Sequence, residues 1–306
     1  MNSNPSYPIG IPGQPWGEEE RKRWRASLSV QRRYAQDVVP RIESLASQFE
    51  ILTYGRLNHA DDIYPLFALR NGPHDPALPT ALVTGGVHGY ETSGIMGALE
   101  FLEKRAANYA GKVNLLVAPC VSPWAYERVN RWNYDTLDPN RNFKPDSEAA
   151  ECAALMALVA AQTGPFLLHI DLHETTDSDE TEFRPALAAR DGNSSVPDAI
   201  PDGFYLVDDS ESPQPAFQQW IISAVERVTH IAPPDENNMI IGSPVIAHGV
   251  IEYPQAKYAM CGAITDARFR TTTEVYPDSE RATPRECNNA QVTAVCAALD
   301  FALAYM

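Results

Sequence analysis

The sequence contains few cysteines, and no two of them stand in a CxxC arrangement. The chain has 306 residues, and its cysteines are Cys120, Cys152, Cys261, Cys287 and Cys296. An odd number without paired spacing argues against a disulfide framework and against a zinc site built from cysteines. We therefore expect free thiols in a reducing compartment, and the cytoplasm is the predicted location.

Long apolar runs and positive charge are also scarce. No run of about 18 apolar residues is present, which excludes a membrane-spanning helix. Residues 1–24 lack the basic and apolar regions of a secretion signal. Lys and Arg number 24 against 40 Asp and Glu, giving a net charge of −16. Because such a surface repels phosphates and anionic headgroups, we predict no nucleic-acid partner and no membrane partner; the sequence makes no prediction about oligomeric state.

The short motifs that bind nucleotides or activate a serine are missing as well. The Gly85-Gly86 pair after an apolar run belongs to neither a GxGxxG motif nor a P-loop, and no GxSxG occurs. Nucleotide binding and serine catalysis therefore have little support. The simplest alternative to an enzyme is a flavodoxin-like α/β protein whose histidines have no common role.

Apolar runs alternate with segments of helical periodicity from residue 50 onwards. This alternation predicts a single α/β domain with a mixed, mainly parallel, twisted sheet and helices on both faces. Residues 1–49 are predicted to form an N-terminal arm followed by a helical stretch at 17–48 with a break at Pro40, and residues 50–306 to form the α/β domain. Residues 175–216 are predicted to be a long acidic loop. The predicted strands are 51–57, 64–71, 81–89, 112–121, 165–174, 245–253 and 271–277, and the helices 93–110, 146–163, 217–231 and 288–306.

The strongest functional feature is the segment His88-Gly-Tyr-Glu91, which directly follows the apolar run ALVTGGV. An imidazole and a carboxylate three positions apart at the start of a helix can bind one metal ion, and catalytic zinc takes three protein ligands. His173 ends another apolar run, and both runs are expected to end at the same edge of the sheet. Either histidine alone would pass for an ordinary loop or strand-end residue, but together with Glu91 they predict one zinc site.

His169 competes with His173 for the third ligand position. The two histidines and Asp171 share one face of a strand because side chains alternate along it. His169 lies nearer the middle of the apolar run. We predict that it is a buried, hydrogen-bonded core residue and not a ligand.

A second feature is the segment Asp138-Pro-Asn140-Arg141-Asn142-Phe143. An arginine beside an asparagine can hold a carboxylate or polarise a carbonyl. Asp138 could accept a hydrogen bond from the far nitrogen of a zinc-bound histidine. Taken alone, the Asp-Pro pair is equally typical of a polar turn.

These residues together resemble the zinc metallocarboxypeptidases of the carboxypeptidase A-like family, over residues 50–300. The features that match are HxxE after a strand, the DxNRNF string, the strand-end His173 and the late Glu274 in TTTEVYP. The related succinylglutamate desuccinylases and aspartoacylases share HxxE and a DLH segment, to which Asp171-Leu172-His173 is similar. The full NRNF string is more similar to the peptidase branch.

The resemblance implies a role for each part of the site. One zinc ion would be held by the three ligands already predicted, and two further residues would take a proton from water and stabilise the oxyanion. The substrate would be held through its terminal carboxylate and a mobile tyrosine. The corresponding residues are Glu274 as general base, Arg131 for the oxyanion with Arg128 as a rival, Asn140 and Arg141 for the carboxylate, and Tyr258, preferred over Tyr253, as the tyrosine.

The activity implied is that of a zinc metallocarboxypeptidase, which hydrolyses the C-terminal peptide bond of a peptide. The alternative is a zinc-dependent N-acyl amino acid amidohydrolase like the desuccinylases and aspartoacylases. In both cases the partner is a small substrate with a free carboxylate. A non-catalytic binding module with the same fold is a third possibility, which the presence of all three candidate ligands and Glu274 disfavours.

The acidic segment 177–184 allows three interpretations. It can be a solvated loop, or a wall that attracts basic substrate side chains through Asp177 and Asp179. It can also supply a second metal site through Asp177, Asp179 or Glu182, since hydrolases with two metals exist. The sequence alone leaves these alternatives open.

Overall fold

A mixed β-sheet forms the centre of the molecule. The structure is a computed structural model that describes residues 7–59, 62–195 and 199–306. Eight strands within these ranges form the sheet, and two more form a separate hairpin. In chain order the strands are β1 (Glu50–His59), β2 (Asp62–Arg70), β3 (Thr80–Gly85), β4 (Asn114–Ala118), β5 (Phe166–Glu174), β6 (Tyr205–Asp209), β7 (Met239–Ile240), β8 (Ser243–Pro244), β9 (Val250–Tyr253) and β10 (Phe269–Val275).

The middle of the sheet is parallel and its borders are antiparallel. The spatial order is β1-β2-β4-β3-β5-β10-β6-β9. Strands β4, β3, β5 and β10 run parallel, whereas β2 is antiparallel to both β1 and β4, and β6 is antiparallel to β10. Because parallel strands end at the same edge of a sheet, the segments that follow β3, β5 and β10 meet there.

Helices cover both faces of the sheet. On strand β3 the side chains of Ala81 and Val83 join one core with α4 and α9, and Leu82, between them, joins a second core with Leu155 of α6. This alternation is what a strand buried on both faces requires. The predicted fold class is confirmed. Within the described residues the helices are α1 (Glu18–Ser27), α2 (Tyr34–Asp37), α3 (Val39–Ser44), α4 (Thr92–Lys104), α5 (Pro123–Arg128), α6 (Ala150–Ala160), α7 (Arg184–Asp191), α8 (Pro215–Val225) and α9 (Pro284–Ala304).

Two glycines let α4 lie directly against the sheet. A Cβ atom on Gly94 would lie 2.4 Å from the carbonyl oxygen of Leu172 in β5. A Cβ atom on Gly85, at the end of β3, would lie 2.5 Å from the carbonyl oxygen of Gly94. Only a hydrogen atom fits at either position, so the start of α4 is held close to the ends of both strands.

The prediction of one helical stretch over 17–48 is wrong. Three short helices, α1, α2 and α3, occupy this part of the chain, and the backbone is extended at Leu28 after α1. The amides of Gln31 and Arg32 donate to the carbonyl of Glu127 instead of to a helical turn. Pro40 lies in the first turn of α3, where its missing N–H costs nothing. The boundary between an N-terminal region and the α/β domain at residue 49 stays a prediction. Trp24, which precedes this boundary, is buried in the same core as the sheet.

The prediction of a long acidic loop over 175–216 is also wrong. This segment contains a π-helical turn (Asp179–Phe183), α7 and strand β6. Strand β6 pairs with β10 and β9, so part of the segment lies inside the sheet. Strand β6 has only five residues and is flanked by turn-forming and acidic residues, so the sequence pattern does not predict a strand there.

All five cysteines are free thiols, and four of them are buried. No helix in the described ranges is both long and apolar enough to cross a membrane.

Candidate metal centre and catalytic site

Three side chains meet at the carboxyl edge of the parallel strands. His88 and Glu91 lie in the turn between β3 and α4, and His173 is near the end of β5. All three are buried, and each offers a ligand atom that lies within 4.8 Å of the other two. The structure therefore brings together the three residues that the sequence predicts as zinc ligands.

Glu91 lies between the two histidines. Its Oε1 atom lies 2.6 Å from Nδ1 of His88, and its Oε2 atom lies 2.8 Å from Nδ1 of His173. The second contact does not have hydrogen-bond geometry, so Oε2 is a buried oxygen without a hydrogen-bond partner in the described protein. A cation between these atoms would satisfy that oxygen, and two imidazoles with one carboxylate form a donor set that suits zinc.

Two further carboxylates contact the far nitrogens of the two histidines. Nε2 of His88 lies 2.9 Å from Oδ1 of Asp138, and Nε2 of His173 lies 2.6 Å from Oδ2 of Asp171. A carboxylate at Nε2 favours the proton on that nitrogen and leaves the Nδ1 lone pair for a metal. The hydrogen bond from His88 to Asp138 is the one that the sequence predicts.

Electrostatics in this cluster favour the charged forms of its members. Burial alone would raise the pKa of Glu91, but His173 and His88 lower that pKa to about 2. Burial opposes protonation of His173, yet Asp171 and Glu91 hold its pKa well above the usual value. Burial would raise the pKa of Asp138, which Arg131 and His88 hold well below its usual range. Glu91 and Asp138 are thus ionised in the folded protein, and a cation bound at Nδ1 of His173 would replace the proton that these carboxylates favour there.

His169 is a core residue, as predicted. It is fully buried, and its Nε2 atom lies 3.1 Å from Oγ1 of Thr84. Burial lowers its pKa to about 4, so the ring is neutral at neutral pH. Among the described residues the only metal-ligand cluster is His88, Glu91 and His173.

Glu274 lies beside the metal cluster on the neighbouring strand. Its position on β10 pairs directly with His173 on β5. Oγ1 of Thr175 donates to Oε2 of Glu274 at 2.9 Å, and the same Oγ1 lies 2.7 Å from the hydroxyl of Tyr205. Burial raises the pKa of Glu274 to about 7, against the opposing charge of His173. A carboxylate with this pKa can accept and return a proton near neutral pH.

Glu174 is a buried acid that the sequence analysis did not single out. Its carboxylate accepts hydrogen bonds from the amides of Thr92, at 3.0 Å, and Ser93, at 2.6 Å. Burial raises its pKa to about 7 despite these bonds. Because the bonds close the first turn of α4, Glu174 fastens the helix that follows Glu91 to the strand that carries His173.

Arg131 points toward the cluster and is held by two carboxylates. Its Nε atom donates to Asp138 at 3.1 Å, and its Nη1 atom donates to Asp179 at 3.1 Å. Asp179 also accepts a hydrogen bond from the hydroxyl of the buried Tyr90 at 2.8 Å. Arg128, the rival of Arg131, instead stacks on Trp124. Asp179 is therefore paired with neighbouring side chains, which argues against the interpretation that its charge attracts basic side chains of a substrate.

The segment Asn140–Arg141 lies in the wall of the same cavity. Oδ1 of Asn140 accepts the amide hydrogen of Cys261 at 2.8 Å, which fixes the side chain. Arg141 is exposed, donates to the carbonyl of Asn140 at 2.6 Å and has no carboxylate partner in the described part of the chain. Tyr253 lines this cavity, whereas Tyr258 lies beside it, 6.0 Å from the Arg141 guanidinium.

The cavity has a volume of about 570 Å³, within the range typical of small-molecule sites. Its lining includes His88 of the metal cluster together with Glu274, Arg131 and Arg141. It also includes Tyr205, a residue that the sequence analysis missed because β6 was not predicted. One candidate metal ligand, the candidate base and the two candidate substrate-binding arginines therefore face one space.

Comparison with known proteins finds the same fold in solved structures and a family model that matches part of the chain. Residues 77–193 match the model of the succinylglutamate desuccinylase/aspartoacylase catalytic domain. A Shewanella amazonensis SB2B protein assigned as a metallopeptidase is 20% identical, with a TM-score of 0.63 over 90% of this chain and 98% of that one. This chain is therefore similar to the desuccinylase/aspartoacylase catalytic domain over residues 77–193, and it shares the fold of solved metallo-carboxypeptidase structures. The resemblance indicated by the sequence is thus confirmed.

Two further solved structures have a similar fold. A Pseudomonas aeruginosa metallo-carboxypeptidase in complex with (2-guanidinoethylmercapto)succinic acid is 15% identical, with a TM-score of 0.56 over 94% of this chain and 70% of that one. Bovine thrombin-activatable fibrinolysis inhibitor is 12% identical, with a TM-score of 0.57 over 96% and 99%. At these identities the likeness shows the fold. No curated protein has a significantly similar sequence.

Proposed function

We propose that this protein is a zinc-dependent carboxypeptidase that hydrolyses the C-terminal peptide bond of a peptide. The observation that carries the proposal is the pairing of Glu274 with His173 on adjacent strands, with Glu274 lining the cavity that Arg141 also lines. A metal cluster, a candidate base and a candidate carboxylate binder then face one substrate.

His88, Glu91 and His173 would hold the zinc ion, with Asp138 and Asp171 fixing the two imidazoles. A zinc ion held there would lower the pKa of a water molecule and polarise the substrate carbonyl. The buried Glu91 oxygen without a hydrogen-bond partner is the feature of the protein that fits such a cation.

Glu274 would act as the general base and then return the proton to the leaving amine. Its pKa of about 7 allows both directions of transfer near neutral pH. Thr175 keeps one carboxylate oxygen of Glu274 occupied, so the other oxygen is the one available for the proton. Arg131, held by Asp138 and Asp179, would stabilise the negative charge that develops on the carbonyl oxygen.

Asn140 and Arg141 would bind the terminal carboxylate of the substrate. Arg141 has donors available because no described carboxylate pairs with it, and a guanidinium can bind a carboxylate through two parallel hydrogen bonds. For the tyrosine near the substrate, the cavity lining favours Tyr253 over Tyr258. The succinic acid derivative bound to the related Pseudomonas aeruginosa enzyme is likewise a carboxylate.

The second candidate is hydrolysis of N-acyl amino acids by the same residues. The match of residues 77–193 to the desuccinylase/aspartoacylase model favours it, since that range includes all three candidate ligands. The two candidates differ in substrate and not in chemistry. For either, we expect the protein to work in a reducing compartment such as the cytoplasm, which would keep its five thiols free.

One experiment separates the candidates. Zinc-loaded protein is incubated with a mixed peptide library and a panel of N-acyl amino acids, and products are identified by mass spectrometry, with Glu274→Gln as the control. Loss of single C-terminal residues, absent in the control, is the expected result. Cleavage of acyl amino acids alone would move the protein to the second candidate, and no cleavage of either set would refute both.

A further inference from the structure

The N-terminal segment, residues 7–27, reaches the substrate cavity although it precedes the first strand of the sheet. Arg21 of α1 belongs to the cavity lining. Its Nη1 atom donates to the carbonyl of Asp135 at 3.2 Å and contacts Oγ1 of Thr136. A guanidinium carries five N–H donors, and the remaining nitrogens of Arg21 have no acceptor among the described residues. They are available to a substrate oxygen.

Residues 179–191, which belong to the acidic segment, form the side of the cavity that faces the metal centre. We call these residues the helical wall. Asp179, Phe183, Leu187 and Asp191 all line the cavity, at the four-residue spacing of one helical face. At its inner end the helical wall is anchored by Asp179, which binds Arg131 and Tyr90. The position of this wall therefore decides the shape of the cavity next to Arg131.

The N-terminal segment holds the outer side of the helical wall. The amide of Trp16 donates to the carbonyl of Arg190 at 2.8 Å, and the hydroxyl of Tyr7 donates to Oε1 of Glu182 at 3.0 Å. Gly192, which ends α7 with φ +70°, is so close to Pro15 that a Cβ atom would lie 2.8 Å from the Pro15 nitrogen. Two contacts on the wall and one on Gly192, the residue that follows it, thus come from one short segment.

Aromatic packing ties this segment to the loop that carries Arg131. The ring of Trp132 lies edge-on to Trp16 at 6.1 Å and packs on Trp24 at 5.5 Å. The guanidinium of Arg190 lies over Trp132 at 4.7 Å and donates to the carbonyl of Thr136 at 2.9 Å. The N-terminal segment, Trp132 and α7 therefore form one packed unit around the cavity.

We propose that the N-terminal segment positions the helical wall of the cavity and that Arg21 is a specificity-determining residue that donates to an oxygen of the bound substrate. The assignment of Arg21 rests on the proposed function, because it concerns the substrate of that site. The positioning of the helical wall does not need turnover to be observed.

Two variants test the positioning. Deletion of residues 1–16 removes the contacts of Tyr7, Pro15 and Trp16, and Tyr7→Phe removes only the hydrogen bond to Glu182. Hydrogen exchange of zinc-loaded protein should speed up at least tenfold over residues 184–191 in the deletion, and about three- to tenfold over residues 179–191 in Tyr7→Phe, with exchange in α9 unchanged. If the deletion loses protection in α9 as well, it has unfolded, and Tyr7→Phe decides. Unchanged exchange in 179–191 of Tyr7→Phe would overturn the positioning.

Arg21→Gln tests the substrate contact against Arg23→Gln, an exposed arginine on the same helix outside the cavity lining. The probes are N-benzoyl-glycyl amino acids with different C-terminal residues. We expect Arg21→Gln to raise KM at least fivefold with kcat within twofold of wild type, and Arg23→Gln to change neither. Equal behaviour of the two variants would overturn the assignment of Arg21. Failure of wild-type protein to cleave any probe would count against the proposed function and this assignment together, while the exchange result still decides the positioning.

Discussion

Glu274 and His173 occupy directly paired positions on the parallel strands β10 and β5. The distance between the candidate base and a candidate metal ligand is therefore set by backbone hydrogen bonds of the sheet. The amide of Thr175 extends this pairing by donating to the carbonyl of Val275 at 2.9 Å, and its hydroxyl donates to Glu274. Rigid strand ends of this kind are suited to holding catalytic groups at fixed separations.

The hydroxyl of Thr175 should matter for turnover and not for metal binding. We expect Thr175→Val to lower kcat about five- to tenfold, because Glu274 loses the hydrogen bond that fixes its orientation, with zinc affinity unchanged. Steady-state kinetics and zinc titration measure the two effects. Thr272→Val is the matched control, since Thr272 lies on the same strand as Glu274 and its buried hydroxyl has no partner in the described protein. Equal kcat values in the two variants would contradict the role of Thr175.

Asp138 should tune the metal site through His88. Asp138→Asn keeps the shape of the side chain but weakens the hydrogen bond to Nε2 of His88, so we expect zinc affinity to fall about 10- to 100-fold. Competition with a chromogenic chelator measures the affinity. Asp135→Asn, an exposed residue in the same loop, provides the control and should bind zinc like wild type. Wild-type affinity in Asp138→Asn would show that His88 does not need this partner.

Arg141 should recognise the free carboxylate of the substrate. We expect Arg141→Gln to raise KM for a peptide about 10- to 100-fold, because a hydrogen bond between charged groups is lost. The sharper measurement compares a peptide with its C-terminal amide. Wild type should prefer the free acid, and Arg141→Gln should lose most of that preference. A preference that survives the substitution would assign carboxylate binding to another cation of the cavity.

The sequence identifies the parts of the site that follow recognisable strands. His88, Glu91 and His173 could be found because each lies at or near the end of an apolar run, whereas His169 lies nearer the middle of its run. Tyr205 could not be found, since β6 is short and lies among turn-forming residues. Its place beside Thr175 depends on pairing between segments that are far apart in the chain.

Tertiary contacts also override local preference at the N-terminus. The charged, periodic stretch at 17–48 favours a helix, but the backbone between α1 and α2 bonds to Glu127 and lets Trp24 and Tyr34 enter the core. Burial of two aromatic side chains outweighs the small differences in helix propensity per residue. Glu174 directly follows the predicted ligand His173 in the sequence. This adjacency is a signal from which Glu174 could have been predicted as a further residue of the site.

Glu151 should make the stability of the fold depend on pH. It is buried in the first turn of α6, its Oε1 atom has no hydrogen-bond partner in the described protein, and burial raises its pKa to about 7. Because the folded state holds a proton that the unfolded chain releases near pH 4.5, the free energy of unfolding falls as pH rises between these two values and is independent of this group above them.

Glu151→Gln should therefore be more stable than wild type at pH 8 and no more stable at pH 4.5. The difference should grow through the interval to at most about 3 kcal/mol. Urea unfolding of both proteins at several pH values from 4.5 to 8 measures it, and the pH dependence of metal binding cancels in the comparison. Glu148→Gln, three residues earlier and exposed, should follow wild type throughout. If the difference between Glu151→Gln and wild type is the same at every pH, the pKa of Glu151 is equal in the folded and unfolded states, and an interaction beyond the described contacts must offset the cost of burying its charge.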